Sequence, residues 1–369
     1  MNLKKILQNT LGSALVLFAL AGCEKNEQEM LTSNTLDVVT NSTIFVVNMG
    51  NYSESNGSIS LLNYGEEVEQ NIYSKCNGYP LRSIVESATF YGNVALLMCG
   101  NEDKVEFVDR RTGKAVANAV TGIGLPRYAT IVGKYAYVSC VNPTWRDTVG
   151  YITKIDMDSY TVDKRIRVKG NPEGITSIGN MVFAATANGV ALIDANSDTT
   201  LGFIGLPNRP TATARYFERD ANGNLWISFT QFDIYGNGKN CGIAKLKPGD
   251  SEFADVVELN KMNGDAYIDL SPDGRTLYYM YASEVVGGQS PEAETSIYAV
   301  DLASKAVSPT PVCSGHGFYG FNVDPSTGNI YTANVNGFIT NSMISIFSQN
   351  GDLLQDNLMA GVGTCRFYF

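Results

Sequence analysis

The segment Thr364–Phe369, TCRFYF, decides the fold that this sequence encodes. It is apolar and strand-forming, and a terminal segment frays unless another part of the chain holds it. A second short run, TIFVVN at 43–48, has the pattern of a strand that lacks its preceding partner. We predict that these two strands pair, so that the C-terminal strand completes a unit begun at the N-terminus.

An internal repeat fills the chain between these two segments. A glycine and a polar residue followed by an apolar, aromatic strand recur as YGNVALLM, VGKYAYVSC, IGNMVFAAT, NGNLWISF, DGRTLYYMY and TGNIYTAN. Their glycines are Gly92, Gly133, Gly179, Gly223, Gly274 and Gly328, spaced 41, 46, 44, 51 and 54 residues apart. Glycine permits the positive φ that tight hairpins require, so each recurrence marks a turn between two strands.

The repeat indicates a propeller. Each glycine has one strand before it, and most are followed by a third strand that ends on Asp and by a fourth, as in VEFVDRRTGKAVANAV. Six complete four-stranded units of about 45 residues run from about residue 80 to 358, a length typical of propeller blades. We therefore predict an all-β, seven-bladed β-propeller closed by the C-terminal strand; a β-sandwich is the alternative. The low charge, 17%, with 36 Gly and 20 Tyr, suits such a chain.

The N-terminus has the features of a bacterial lipoprotein signal. Lys4 and Lys5 precede the apolar run LGSALVLFAL, which is too short for a bilayer span of about 20 residues. The motif LAGC at 20–23 resembles the lipobox, which implies a signal peptide over 1–22, a lipid on Cys23 and a membrane anchor. An ordinary signal with a chance cysteine is the alternative.

The residues after Cys23 predict a tether. EKNEQEMLTSNTLDVVTNS is polar and acidic early, so 23–42 are expected to be a flexible link to a single propeller domain over 43–369. Early acidic residues resemble the surface-export signal of some two-membrane gut bacteria, which implies the outer membrane with the protein facing outwards. A merely solvated linker is the alternative.

Charge and cysteine content exclude some classes of partner. Loss of Lys4 and Lys5 lowers the basic count from 27 to 25 against 37 acidic residues, a net charge of −12. Nucleic-acid binding needs a basic face, so we expect none. The six cysteines other than Cys23 show no CxxC spacing, and their pairing cannot be deduced.

One face of the predicted ring carries the longer loops. These are the loops between second and third strands, and the blade-to-blade connections enter near the axis on the same face. Their aromatic and arginine side chains suit a ligand funnel, because Tyr, Trp and Arg give contact area and hydrogen bonds at modest entropic cost. The predicted ligand-binding residues are Arg82, Arg127, Tyr128, Trp145, Arg209, Phe232, Tyr235, Tyr267, Tyr319 and Arg366.

The sequence offers little catalytic or metal-binding chemistry. His316 is the only histidine, so a Ser-His-Asp triad or a His-based zinc site would have to use it. It stands among glycines between two blades, either within reach of the funnel or simply in a loop. No Walker, Rossmann or EF-hand motif is present. We therefore predict no catalytic residues, no metal, no cofactor and no enzymatic activity.

Short motifs in equivalent places add a family resemblance. YVSC at 137–140, YTAN at 331–334, FVVN at 45–48 and FAAT at 183–186 resemble the YVTN-type (YncE-like) propeller repeat over nearly the whole mature chain. With the acidic export signal, they resemble the cobalamin-capturing surface lipoproteins of gut bacteria (BtuG-like). That resemblance implies capture of a corrinoid and its delivery to a TonB-dependent outer-membrane transporter. A propeller enzyme, such as a lactonase or lyase, and a protein-docking scaffold are the alternatives.

Overall fold

Seven antiparallel sheets form the protein, and most residues outside them lie in turns and loops. The computed structural model describes residues 43–63, 67–142, 149–209, 211–232, 238–259, 262, 265–283 and 290–369. Within these ranges the chain has one short α-helix, α1 (Ile72–Asn77), which follows the first sheet. The all-β, seven-bladed propeller predicted from the repeat is confirmed.

Each sheet is a blade whose strands follow one another from the axis outwards. Blade 1 combines the two ends of the chain, as β29 (Thr364–Tyr368), β1 (Thr43–Asn48), β2 (Ser58–Asn63) and β3 (Val68–Glu69). Blade 2 contains β4 (Ser87–Tyr91), β5 (Val94–Cys99), β6 (Lys104–Asp109) and β7 (Val120–Thr121). Blade 3 contains β8 (Pro126–Val132), β9 (Tyr135–Cys140), β10 (Val149–Asp156) and β11 (Thr161–Lys169). Blade 4 contains β12 (Ile175–Ile178), β13 (Met181–Thr186), β14 (Gly189–Asp194) and β15 (Thr199–Gly205). Blade 5 contains β16 (Thr213–Arg219), β17 (Leu225–Phe232), β18 (Gly238–Leu246) and β19 (Asp255–Glu258).

The last two blades differ in one detail. Blade 6 contains β20 (Ile268–Leu270), β21 (Thr276–Ala282), β22 (Glu294–Asp301), β23 (Ala306–Val307) and a fifth strand, β24 (Cys313–His316). The strand β24 pairs with β22 beyond the short β23, so the outer edge of this blade is shared by two segments. Blade 7 contains β25 (Phe318–Val323), β26 (Ile330–Asn334), β27 (Asn341–Phe347) and β28 (Leu353–Val362).

The ring closes through its terminal strands, as TCRFYF and TIFVVN predict. The strand β29 pairs antiparallel with β1, with Phe367 opposite Val46 and Arg366 opposite Val47. The Tyr368 hydroxyl accepts a hydrogen bond of 2.9 Å from the Ala88 N–H of blade 2, which ties the same strand to the next blade. Pairing on one side and a side-chain bond on the other hold β29 in place, and no open sheet edge is left at the closure.

The repeated glycines form the turns between the first and second strands of blades 2 to 7. Their φ angles lie between 56° and 79°, where a Cβ would be strained. The apolar core lies between neighbouring blades: Phe107 of blade 2 packs in one cluster with Val138 of blade 3, and Ile166 of blade 3 packs in another with Val182 of blade 4. Each sheet is thus covered on both sides.

Loops between second and third strands share a face with the blade-to-blade connections. The Gly57 N–H, in the loop between β1 and β2, donates to the Ser83 oxygen on the connection into blade 2, at 2.8 Å. The Asn51 side chain donates to the Phe338 oxygen in the corresponding loop of blade 7, at 2.9 Å. We call this side of the ring the loop face.

Several sequence-based expectations fall outside the described residues. The signal peptide, Cys23 and the tether to residue 42 all lie there. In the part of the chain that is described, no helix is long and apolar enough to cross a membrane. The cysteines Cys76, Cys99, Cys140, Cys313 and Cys365 are free thiols, all buried except Cys76, and Cys241 is buried as well.

The closure can be tested with Phe367→Ala. The Phe367 side chain is 2% exposed, its ring centroid lies 5.8 Å from that of Tyr331, and its N–H donates to the Asn322 amide oxygen at 2.9 Å. We expect a loss of about 3–5 kcal/mol in the free energy of unfolding, measured by urea denaturation. Phe369→Ala is the control, because that side chain is 37% exposed. Equal, small losses in both variants would contradict closure as a determinant of stability.

Candidate functional site

The residues at the start of the innermost strands point towards the axis because the pairing is irregular there. In blade 3 the register shifts between Pro126 and Ala129, so Arg127 and Tyr128 form a bulge. The same shift in blade 5 falls on Arg215 and Tyr216. In both blades the tyrosine N–H donates to a serine on the second strand, Ser139 at 3.0 Å or Ser228 at 3.1 Å. Bulges redirect side chains in this way next to functional sites.

All seven blades contribute to one group of polar and aromatic residues, which we call the axial cluster. It consists of Arg366 (blade 1), Glu86 (blade 2), Arg127 and Tyr128 (blade 3), Glu173 (blade 4), Arg215 and Tyr216 (blade 5), Asp265 and Tyr267 (blade 6) and Tyr319 (blade 7). Each residue lies within the first four residues of an innermost strand or up to three residues before it. The blade connections enter here, so the cluster lies at the loop-face end of the axis.

Arg366 reaches across the axis to blades that are not its neighbours. Its guanidinium carbon lies 3.9 Å from the ring centroid of Tyr267, 5.0 Å from that of Tyr216 and 5.6 Å from that of Tyr128. Its Nη2 donates to the Tyr128 hydroxyl at 2.9 Å. These rings also touch one another, with Tyr216 and Tyr267 stacked at 5.0 Å. Cation–π contacts of this kind strengthen when they are desolvated, and Arg366 is 7% exposed.

A chain of ion pairs runs beside the aromatic rings. Arg127 bonds Glu86 through Nη1 and Glu173 through Nε and Nη2, the latter two at 3.0 and 2.8 Å. Glu173 also lies 3.6 Å from Arg215. Both arginine side chains keep about a quarter of their surface exposed, so the cluster is in contact with solvent in the funnel.

Burial and the neighbouring arginines together set the pKa values of the carboxyl groups in the cluster. Burial alone would raise the pKa of Glu173, but Arg127 and Arg215 outweigh it and hold that pKa below its usual value. Burial raises the pKa of Glu86 despite the attraction of Arg127. Burial also raises the pKa of Asp265, to about 6, with Arg215 limiting the rise. Asp265 therefore differs from Glu173, for which the neighbouring arginines outweigh burial.

Some hydrogen-bonding capacity in the cluster is unused. Among the residues that the structure describes, no carboxylate lies within ion-pair distance of Arg366, and Tyr128 is its only side-chain hydrogen-bond partner. The Arg215 Nε and one Asp265 oxygen, Oδ2, are buried and have no hydrogen-bond partner in the same part of the chain. Buried polar groups normally have partners, so unsatisfied ones beside partly exposed arginine side chains indicate a binding site.

Two further carboxyl groups belong to the innermost strands below the cluster. Burial raises the pKa of Glu218 well above its usual value, and the neighbouring Asp269 raises it further. Burial also raises the pKa of Asp269, although this group accepts hydrogen bonds from Val323 and Asn322 at 2.9 and 3.0 Å. Glu218 lies on β16 of blade 5 and Asp269 on β20 of blade 6, so two acids on adjacent innermost strands both favour the protonated form.

Half of the residues predicted for the funnel meet in the axial cluster. Arg127, Tyr128, Tyr267, Tyr319 and Arg366 lie there. Trp145 and Tyr235 lie outside the described residues, as does the side chain of Phe232, whose backbone ends β17.

Two predicted funnel residues are corrected by the structure. Arg209 bonds Glu258 and the Pro207 oxygen and covers the Phe229 ring at 5.0 Å, because its connection runs along the outer part of blades 4 and 5. Arg82 is exposed, with φ at 52°, and takes part in none of the cluster contacts described above.

Five cluster residues were not among the predicted ligand-binding residues. They are Glu86, Glu173, Arg215, Tyr216 and Asp265. The dipeptide Arg-Tyr occurs at the same strand position in blades 3 and 5, so the repeat itself contained the signal for Arg215 and Tyr216. No local pattern distinguishes Glu86 or Asp265.

His316 lies away from the cluster. It ends β24 on the outside of blade 6, where it is exposed and its Nδ1 lies 3.3 Å from the Glu292 oxygen. A funnel role for this histidine is therefore excluded by its position. In the described ranges, no group of three or more His, Cys, Asp or Glu residues is arranged to hold a metal ion.

Asp265→Asn tests the electrostatics of the cluster. Because the pKa of Asp265 is raised from 3.8 to about 6, the folded protein holds this proton more tightly than the unfolded chain does. The resulting stability is complete below about pH 4 and is lost as the pH rises through about 6. We expect wild type to lose about 2–3 kcal/mol relative to Asp265→Asn between pH 4 and 7, by urea unfolding. Glu252→Gln, at an exposed position, is the control; parallel curves for wild type and Asp265→Asn would contradict the assignment.

Solved structures with the same fold share little sequence with this chain. A "putative 6-phosphogluconolactonase" from Bacteroides uniformis ATCC 8492 has a TM-score of 0.59 at 15% identity, covering 89% of this chain and 99% of its own. A second protein of the same description, from Bacteroides fragilis NCTC 9343, has a TM-score of 0.59 at 16% identity, covering 90% of this chain and 99% of its own. A quinonprotein alcohol dehydrogenase-like protein from Bacteroides thetaiotaomicron VPI-5482 has a TM-score of 0.62 at 15% identity, covering 88% of this chain and 77% of its own. At these identities the likeness concerns the fold alone.

These similarities correct the prediction that the chain is not an enzyme. Two propellers that match nine-tenths of it are named as lactonases, so this architecture gives no ground for excluding catalysis. The scarcity of histidine, from which the exclusion was drawn, is not sufficient because carboxyl and guanidinium groups can also serve as acids, bases and electrostatic stabilisers.

Comparison by sequence gives one result that covers most of the chain. A search of the curated proteins finds no match. A family model described as "Domain of unknown function (DUF5074)" matches residues 42–361, which include every blade strand except β28's last residue and β29. The chain therefore belongs to the DUF5074 family.

Proposed function

We propose that this propeller binds a small molecule at the loop face, with an anionic group of that molecule on Arg366. The observation that carries the proposal is a guanidinium 7% exposed, held between three tyrosine rings, with no described carboxylate in ion-pair distance. Arginine stays protonated in proteins, and its planar set of donors suits carboxylate and phosphate groups. A ligand anion would supply the partner that the described residues do not.

The unsatisfied atoms nearby support the same proposal. Arg215 Nε can donate a further hydrogen bond and Asp265 Oδ2 can accept one. Each buried polar group without a partner costs about 1–3 kcal/mol, and a ligand that bonds both groups removes this cost. The ligand is thus expected to combine an anion with at least one hydrogen-bond donor.

We further propose that the ligand is a corrinoid, held by an outer-membrane surface lipoprotein that passes it to a TonB-dependent transporter. A corrinoid carries one phosphate and several amides around a broad apolar ring. Arg366 and Arg215 suit the phosphate, Asp265 suits an amide N–H, and the tyrosines offer apolar contact. Support for the lipid anchor on Cys23 and for the transporter partner comes from the lipobox-like sequence, the acidic tether and the family resemblance.

A colour assay tests the corrinoid proposal. Protein lacking residues 1–23, which precede the described ranges, is incubated with cyanocobalamin and passed through a desalting column. We expect a red protein fraction, and at least a tenfold weaker affinity in Arg366→Met because a charged contact of about 1.4 kcal/mol or more is lost. Arg111→Met is the matched control, since that side chain is 48% exposed in a turn. A colourless protein fraction would contradict the corrinoid proposal. Equal affinity in wild type and Arg366→Met would contradict the anion site.

A second candidate is lactone hydrolysis, which the environment of Asp265 favours. A carboxyl with a pKa of about 6 can accept a proton from an attacking water near neutral pH, and Arg215 beside it can stabilise the developing oxyanion. A phosphorylated sugar lactone would also bring an anion for Arg366.

The second candidate is tested by following acid release from 6-phosphogluconolactone above its spontaneous rate. We expect hydrolysis by wild type and a loss of at least 100-fold in Asp265→Asn, the range in which general-base groups contribute. Hydrolysis at the uncatalysed rate in wild type would remove this candidate and leave the binding proposal in place.

A further inference from the structure

Two apolar side chains on the loop face are among the most exposed in the described chain. Ile339 is 78% exposed and Tyr52 is 71% exposed. Exposed apolar residues are common when they are scattered, but these two belong to loops that are bonded together. The Asn51 side chain, next to Tyr52, donates to the oxygen of Phe338, next to Ile339, at 2.9 Å. We call Tyr52 and Ile339 the apolar rim.

Both loops are held rigidly rather than loosely. In the loop that carries Tyr52, Asn51 accepts from the Ser53 N–H at 2.9 Å through its side chain and from the Ser55 N–H at 2.9 Å through its backbone. Ser55 is bonded in turn by Asn101 of blade 2 at 2.6 Å. A rim fixed before binding avoids the entropy loss of ordering two loops around a ligand.

The loop that carries Ile339 is strained as well as bonded. Asn336, Gly337 and Phe338 have consecutive φ values of 48°, 65° and 61°, and an aromatic residue rarely adopts such a conformation. The Phe338 ring lies so close to Gly363 that a Cβ there would come within 2.8 Å of it. Backbone strain that the surrounding structure maintains is concentrated at functional sites.

Phe338 connects the rim to the axial cluster. Its ring lies 4.8 Å from that of Tyr319, which lies 5.8 Å from that of Tyr267, the ring nearest to Arg366 at 3.9 Å. A series of aromatic contacts therefore leads from Phe338, next to Ile339 in the chain, to the buried guanidinium. A molecule that reaches Arg366 with one end and extends over the loop face would bring its other end to the rim.

From this arrangement we infer that the ligand is amphipathic. Its anionic group pairs with Arg366, its apolar body lies on Tyr52 and Ile339, and Phe338 is a positioning residue that holds the rim against Tyr319. The inference rests on the proposed function, because it assumes that an anion binds at Arg366. The rim supplies affinity for apolar surface that a small hydrophilic anion cannot use.

Two anions of equal charge and different bodies test the inference. The probes are 8-anilinonaphthalene-1-sulfonate, followed by its fluorescence, and methanesulfonate, followed by the shift in melting temperature; both stay singly charged between pH 5 and 8. We expect the double variant Tyr52→Ser with Ile339→Ser to bind the aromatic sulfonate at least tenfold more weakly and to show an unchanged shift in melting temperature with methanesulfonate. Arg366→Met should abolish the binding of both probes. The matched control is Leu353→Ser with Leu354→Ser, two side chains 55% exposed on blade 7.

Phe338 is tested with the same probes. Phe338→Ala should weaken the aromatic sulfonate while Phe338→Tyr retains it, and methanesulfonate should bind both variants as it binds wild type. Circular dichroism of each variant checks that the ring is folded.

The outcomes separate the inference from the proposed function. Wild-type affinity of the rim variant for the aromatic sulfonate, with loss in Arg366→Met, would overturn the amphipathic ligand and leave the anion site intact. Equal binding of both probes to wild type and Arg366→Met would overturn the anion site and the inference with it. If the Leu353 and Leu354 control bound the aromatic sulfonate as weakly as the rim variant does, the probe would be adsorbing non-specifically and the inference would be overturned. A rim that binds another protein rather than the ligand would leave the affinity of the rim variant for the aromatic sulfonate at the wild-type value.

Discussion

The pairing of β29 with β1 is the constraint on which the rest of the structure depends. It joins segments more than 300 residues apart in sequence, so the loop-closure entropy it costs is repaid only when all seven blades pack together. The same five-residue strand carries Phe367 into the core, Tyr368 to blade 2 and Arg366 across the axis. Ring closure and the assembly of the axial cluster are therefore one event, and neither can be complete without the other.

Electrostatics and packing act together at the axis. The ion pairs of Arg127 and Arg215 with Glu173 satisfy charges that would otherwise be costly to bury, whereas Arg366 contacts tyrosine rings and the Tyr128 hydroxyl. A ring of seven sheets brings groups from separate blades to one place without changing the packing between them. This separation of scaffold from site is why propellers of similar shape, at 15–16% identity, carry different names.

The blades were predictable from the sequence because their signals are local. The turn glycines recur with each hairpin, and the unpaired strands TIFVVN and TCRFYF require each other. The site was predictable only in part. The bulges that turn Arg127 and Arg215 inwards depend on register between strands, which periodicity does not report. Arg209 shows the opposite error, since a residue in a blade connection can lie along the outer packing surface instead of the mouth.

Closure by β29 also has a consequence for biosynthesis. Blade 1 lacks its innermost strand until translation has passed Tyr368, so the preceding blades must wait in a form with an open sheet edge. The edge of β1 therefore stays open to pairing with other strands until β29 has been synthesised.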